Sequence, residues 1–410
     1  MRAWVLPSVL LAVSAAVGAA PVPTASGNNA TRRAAWTVAP EFGASVALGL
    51  SFSGPQEGII VGGDNNVGAQ VWATDDGGRV TNPATLESGG SPVLMLLAGA
   101  AVRESAVASG VFAAWSSEDS GGTFRPAAGL GAIGPAQSVD GFFEGGDLKF
   151  VITGDTMTHN GVAVSDDGGL TFGAGVEVFE DKTIAARIGA RYFAAASPTA
   201  WFVSGGRWPS NSRASTDASV HHLTESIFVK RSPAANETTF GFTQPEEQRG
   251  RSLQDDDPFT AGIALSSDGG QSWRTVFESD TLGFYFNQIS CWDATRCAVV
   301  AEGGGAARIL VTRDGGLSWQ QTLQASGSIM AIQALQGVAG AEGEGWAGGG
   351  ILGFPTFTGH YWHTLDYGET WELNELPGAY AFDLSFPPGQ NSLGYSTVLT
   401  PAASALARYE

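Results

Sequence analysis

The chain has 410 residues, 57 of them glycine and 2 cysteine, and its 21 basic against 40 acidic side chains give a formal charge of -19. Glycine at about twice its usual ~7% without a G-X-Y period excludes collagen, and 43% hydrophobic residues exclude a disordered acidic polymer. Low charge with high glycine fits a turn-rich all-β protein, and the acidic balance opposes binding to nucleic-acid backbones or anionic membranes.

Residues 1–20 read as a secretory signal: Arg2, an apolar run to about Ala16, then the small residues Val17, Gly18, Ala19 and Ala20. A membrane anchor needs about 20 uninterrupted apolar residues, whereas Pro7 breaks a shorter run here, and no other window is apolar enough to span. Residues 21–34 are expected to be a flexible segment. The stretch 21–40 carries Arg32 and Arg33 and no acid, so a bipartite address to a plastid lumen stands as the alternative to secretion. Asn29 and Asn236 each begin an N-glycosylation sequon. Ala35 to Pro40 resembles the strand that follows a repeated turn further along the chain.

That turn recurs six times: hydroxyl residue, any, Asp, any, Gly, any, Ser/Thr, aromatic. Full copies run over Ser117–Phe124, Ser165–Phe172, Ser266–Trp273, Thr312–Trp319 and Thr364–Trp371, after a degenerate copy at Thr74–Gly78. The aspartates are Asp76, Asp119, Asp167, Asp268, Asp314 and Asp366, at steps of 43, 48, 101, 46 and 52 residues. This period is that of a four-stranded propeller blade. An Asp in a tight turn accepts hydrogen bonds from the backbone N–H groups after it, and Gly takes the positive φ. The six carboxylates are therefore read as structural, each satisfied inside its own turn.

Upstream of each turn lies a short apolar strand with small residues, as at Gly58–Gly63, Ser105–Gly110, Phe150–Gly154, Trp201–Gly206, Cys297–Ala301 and Gly345–Gly349. Continuous apolar runs suit strands buried on both faces. One such strand, near Trp201, falls in the 101-residue step, so that step is one blade with an exposed insertion at about 210–258. Cys291 and Cys297 are expected to form one local disulfide closing a hairpin, since a CxxC redox or zinc site lacks the spacing and the ligands. Three C-terminal strands follow the last turn, and the N-terminal strand supplies the fourth. The expected architecture is a single all-β, seven-bladed propeller over 35–410, its last blade closed by the N-terminal strand.

The repeated box resembles the Asp-box, or BNR repeat, of sialidases, sortilin-type receptors, xyloglucanases and photosystem II assembly-factor propellers. The single ring, Gly345-Trp346-Ala347-Gly348-Gly349 and Thr312-Arg313-Asp314-Gly315-Gly316-Leu317-Ser318-Trp319 are most similar to the assembly-factor type. The resemblance implies the fold, and with a plastid address it would imply a lumenal photosystem II role. It is poor for function. Sialidase-type chemistry would require an arginine triad, a Tyr nucleophile with a nearby Glu, an acid/base Asp and an Arg-Ile-Pro motif. That motif is absent, and Phe124-Arg125-Pro126 lies inside the strand after a box. Xyloglucanases carry two propellers, and sortilin-type receptors more blades and an anchor.

Other chemistry is thin. His360 and His363 would point to opposite faces of a strand. His221-His222 and Asp255-Asp256-Asp257 read as solvated loop residues, and no nucleophile elbow, phosphate loop or zincin motif occurs. No cofactor or metal is expected. The leading reading is an exported, non-catalytic, monomeric scaffold for a protein, peptide or glycan, with Arg187, Arg191 and Arg207 as candidate partner contacts. The rival is a sialidase-like glycoside hydrolase acting on extracellular glycans.

Overall fold

The computed structural model describes residues 35–41, 46–64, 68–79, 81–87, 95–110, 113–130, 136–155, 160–179, 188–207, 259–353 and 356–410. Seven four-stranded antiparallel blades, one with an added parallel edge strand, account for its strands, and no α-helix occurs among the described residues. Blade 1 runs Val46–Phe52, Gly58–Asp64, Gly68–Thr74 and Asn82–Pro83. Blade 2 runs Leu96–Val102, Ser105–Gly110, Ala113–Ser117 and Thr123–Pro126. Blade 3 runs Ala136–Glu144, Asp147–Asp155, Asn160–Ser165 and Val176–Glu177. Blade 4 runs Ala190–Ala195, Trp201–Arg207, Thr260–Ser266 and Arg274–Ser279, so the span 208–258, outside the described residues, joins its second and third strands.

Blade 5 runs Tyr285–Cys291, Cys297–Gly303, Ala306–Thr312 and Gln320–Ser326. Blade 6 runs Ser328–Ala334, Gly345–Gly353, Thr356–Thr364 and Glu372–Pro377. Blade 7 takes Tyr380–Ser385, Gly394–Leu399 and Ser404–Tyr409 from the C-terminus and Trp36–Glu41 from the N-terminus. Trp36 pairs with Tyr409, the last residue of the third strand, which pairs in turn with Gly394 as Thr364 pairs with Gly345 in blade 6. Its ring stacks on Tyr361 at 4.1 Å and meets Trp346 and Phe386 edge-on at 5.8 and 6.0 Å. Burying this aromatic on a neighbouring blade is what fastens the closing strand.

The first strand of each blade touches the first strand of the next, and Tyr380–Ser385 touches Val46–Phe52, which closes the ring. The second strands of blades 5 and 7 are buried throughout, and that of blade 4 up to Arg207, as the apolar runs require. Every first strand carries an irregularity in its register with the second, between Ala47 and Gly49 in blade 1 and between Ala381 and Asp383 in blade 7, for example. Such bulges bend the innermost strands. Small residues match them: a Cβ on Gly62 would lie 1.9 Å from the Val46 carbonyl oxygen, and one on Gly349 2.0 Å from that of Ser328.

One feature had no sequence signal. Thr85–Leu86, after blade 1, adds a parallel strand to the outer edge of blade 2 at Thr123–Phe124. An edge is thereby covered by the chain itself.

Candidate functional site

Strand direction sorts the loops onto two faces. Connections between first and second and between third and fourth strands lie on one, the turn face; second-to-third connections and the links between blades lie on the other, the link face. All six repeated turns are on the turn face. In each full copy the carboxylate is consumed locally. Ser117 Oγ donates to Asp119 Oδ1 (2.7 Å) and accepts the Gly121 N–H (3.1 Å), while Asp119 Oδ1 accepts the Thr123 N–H (2.9 Å). Asp167, Asp268, Asp314 and Asp366 repeat the pattern and take a second hydroxyl on Oδ2, at 2.5 to 2.7 Å. In the degenerate copy Thr74 Oγ1 donates to Asp76 Oδ1 (3.0 Å) and accepts the Gly78 N–H (2.9 Å).

These bonds stabilise the ionised form. Ser272, with help from Ser266, holds Asp268 down to about 2, and Ser117 lowers Asp119. The glycine two residues after each Asp packs against other strands. A Cβ on Gly169 would meet Val107 Cγ2 of blade 2 at 2.2 Å, and one on Gly368 would meet Val311 Cγ1 of blade 5 at 2.8 Å. The turns are therefore packing joints.

Cys291 and Cys297 form a disulfide across the first two strands of blade 5. Its loop leans on blade 6: Trp292 Nε1 donates to the Glu344 carbonyl (2.6 Å), and the Arg296 guanidinium lies 3.6 Å above the Tyr367 ring. Gln336, in the turn-face link of blade 6, donates to the carbonyls of Cys291 (2.6 Å) and Ala195 (3.3 Å), spanning the turn-face ends of three inner strands.

The link-face end of the channel is chemically different. Arg191 opens the inner strand of blade 4, and its guanidinium lies 5.2 Å above the ring of Tyr285, which opens the inner strand of blade 5. The Arg191 carbonyl accepts Thr153 Oγ1 from blade 3 (2.5 Å). Its guanidinium has no carboxylate partner among the described residues, and its buried Nε has no acceptor. Tyr285 donates to Glu302 Oε1, its cross-strand neighbour, which also accepts Asn287 Nδ2 (3.1 Å). Asn287 Nδ2 reaches the Ile329 carbonyl of blade 6 as well (3.0 Å). The Tyr192 hydroxyl is pushed above its ordinary value, first by burial; Arg191 pulls it down while Asp383 and Glu302 push it up.

Arg191 and Arg207 sit at the link-face end of blade 4; Arg187, Asn29, Asn236, His221, His222 and Asp255 to Asp257 lie outside the described residues. His360 and His363 lie on opposite faces of their strand. His360 packs edge-on to Trp362, and His363 stacks on Trp346 and pairs with Glu344 (2.8 Å). Among the described residues no group of three or more His, Cys, Asp or Glu side chains is arranged to hold a metal ion. No described helix is long and apolar enough to cross a membrane.

Sequence reading missed Tyr285, Asn287, Glu302 and Asp383. Their available signal was a charged or polar residue interrupting an apolar strand, as in Cys297-Ala298-Val299-Val300-Ala301-Glu302 and Ala381-Phe382-Asp383-Leu384.

No protein-family model and no curated protein matches the chain. Solved structures similar to it include YCF48 bound to a D1 peptide, at 13% identity and a TM-score of 0.54, covering 95% of this chain and 99% of that one. YCF48 from Cyanidioschyzon merolae gives 14% and 0.53, covering 92% and 98%. The GH74 xyloglucanase from Xanthomonas campestris gives 12% and 0.51, covering 91% of this chain but 53% of its own. At these identities the likeness establishes the architecture, a seven-bladed β-propeller, and leaves the ligand to be argued from the site.

Proposed function

We propose that this chain is an exported, non-catalytic binding propeller that docks a protein or peptide at the link-face mouth of its channel, beside blade 4. The carrying observation is Arg191: a cation stacked on Tyr285, with no carboxylate partner among the described residues, on a protein of net charge -19. Supporting it, the similar YCF48 structure holds a peptide. The disulfide fits an oxidising compartment, either secretion after removal of 1–20 or delivery to a plastid lumen. The six turn aspartates serve the fold, the sequons at Asn29 and Asn236 are glycan acceptors, and the chain works as a monomer without a cofactor. Arg187 and Arg207 are proposed to extend the Arg191 contact.

The test compares partners recovered by proximity labelling in the producing cell for wild type, Arg191→Ala and a chain lacking 210–258. Loss of the same partner in one or both variants supports the reading; an unchanged set in both defeats it. Imaging a C-terminally tagged chain separates secretion from a plastid.

One observation favours the rival glycosidase: a tyrosine bonded to a glutamate beside an arginine at a channel mouth. Exposure weighs against it, because Tyr285 is 0% and Glu302 2% accessible, and a nucleophile must be reached by its substrate. Hydrolysis of fluorogenic glycosides, sialosides included, that vanishes in Tyr285→Phe would make the protein an enzyme.

A further inference from the structure

Arg191 is held from two sides. Its backbone sits at the register irregularity between Ala190 and Tyr192, and its carbonyl takes Thr153 Oγ1 from blade 3. Its guanidinium lies over the Tyr285 ring of blade 5, 5.2 Å from the centroid, and Phe259 runs parallel to that ring at 6.5 Å. A planar guanidinium is attracted to an aromatic face, so the ring fixes where the cation rests.

The hydroxyl of the same tyrosine has a second task. It donates to Glu302 Oε1, which also takes Asn287 Nδ2 (3.1 Å). Asn287 is itself pinned: its Nδ2 donates to the Ile329 carbonyl (3.0 Å), and its carbonyl accepts Ser204 Oγ (2.7 Å). Tyr285 and Asn287 are 0% accessible and Glu302 2%, so any effect they have on docking passes through Arg191.

A buried carboxylate near a guanidinium ordinarily pairs with it, because the fork of donors matches the two oxygens. Arg191 and Glu302 share a neighbourhood, since the Tyr192 hydroxyl feels both charges, yet no ion pair joins them. The fold does not demand the carboxylate. Tyr285 and Glu302 form the second register pair before the irregularity of their inner strand. The same position holds Val46 with Gly63 in blade 1, Ser328 with Gly350 in blade 6 and Tyr380 with Leu399 in blade 7. Of these four blades only blade 5 places a charge there, and it stacks on the blade whose inner strand carries Arg191 at its irregularity.

We propose that Tyr285 is the positioning residue of the docking site: its ring seats the Arg191 guanidinium while its hydroxyl holds the Glu302 carboxylate off it, leaving the cation for an anionic group of the partner. This rests on the reading of Arg191 as the docking contact. Without the hydroxyl, the carboxylate loses a charge-assisted bond and turns to Arg191, which neutralises the site from within.

The test is arginine modification by p-hydroxyphenylglyoxal in the purified full chain, with the rate at each arginine read by peptide mass spectrometry. Arg125 in blade 2, its side chain 65% exposed, is the internal reference. Tyr285→Phe keeps the ring and should slow modification of Arg191 several-fold. Adding Glu302→Gln to it should restore the wild-type rate, and Glu302→Gln alone, which keeps an acceptor for the hydroxyl, should leave that rate unchanged. A Tyr285→Phe rate equal to wild type, or a slowing that Glu302→Gln does not rescue, would overturn the inference. So would a several-fold acceleration in Glu302→Gln alone, a result that needs no Tyr285 variant to fold and would mean that the carboxylate already neutralises Arg191. The rates are measured without a partner, so they stand apart from docking itself, which fails if Arg191→Ala leaves the captured partners unchanged.

Discussion

Ring closure by the N-terminal strand can be tested at Trp36. Replacing it with alanine removes a ring that is 7% exposed, stacks on Tyr361 and contacts Trp346, Phe386 and Tyr409. Truncating a buried aromatic of this size costs about 3–5 kcal/mol, because transfer energy is lost and the cavity collapses only partly. Of that, roughly 0.5–1.5 kcal/mol belongs to the ring–ring geometry. Val38, two residues on and 40% exposed, is the control, and Val38→Ala should change stability by about 0.5 kcal/mol or less. Urea unfolding followed by tryptophan fluorescence and by circular dichroism gives the midpoint shift of each variant, provided the two probes coincide. Trp371→Ala, removing the partly buried aromatic just before the fourth strand of blade 6, should cost less than Trp36→Ala but more than Val38→Ala. A Trp36 variant as mild as Val38→Ala would refute closure by this strand.

Other outcomes follow from the same physics. Gly169→Ala, at φ 90° with Val107 Cγ2 2.2 Å from the new Cβ, should cost about 1–3 kcal/mol in thermal unfolding, and Gly145→Ala, with nothing within 4 Å, should cost less. The depressed turn carboxylates, Asp268 at about 2 among them, add stability above the ordinary carboxylate range that is lost as pH falls towards 2. Asp140 at about 6 and Asp383 at about 7 act with opposite sign: the fold holds their protons more tightly, so stability declines as pH climbs from about 4 to 7. A melting profile from pH 2 to 8 should peak near pH 4–5, and a monotonic rise to neutrality would contradict these assignments. Replacing both Cys291 and Cys297 by serine should lower stability by about 2 kcal/mol, the loop-closure value for a short loop. It should also change Trp292 fluorescence, because the loop holds that indole against blade 6.

Much of the ring was legible in the residues. The turns are local: hydroxyl, Asp and Gly satisfy one another within eight residues, so their sequence records their geometry. The apolar second strands are equally plain because both faces are buried, and Trp36 was readable as the aromatic that follows a turn. The mouth was not. Tyr285 and Glu302 meet through cross-strand register, and Arg191 reaches Tyr285 only because two blades stack. Asp383 meets Leu50 across 333 residues of chain. Such contacts depend on bulges in the inner strands and on ring closure, which no short window encodes. Sequence did mark Arg191, though for belonging to a basic cluster and without its aromatic partner.

Photo-crosslinking in the producing cell tests the docking site most directly. A crosslinkable amino acid at Leu282, exposed in the link between blades 4 and 5 on the link face, should capture a partner, and Arg191→Ala should abolish that adduct. The same probe at Leu365, exposed on the turn face, should capture none. Adducts formed at Leu365 alone, or adducts at Leu282 that persist without Arg191, would contradict docking at the mouth through this arginine.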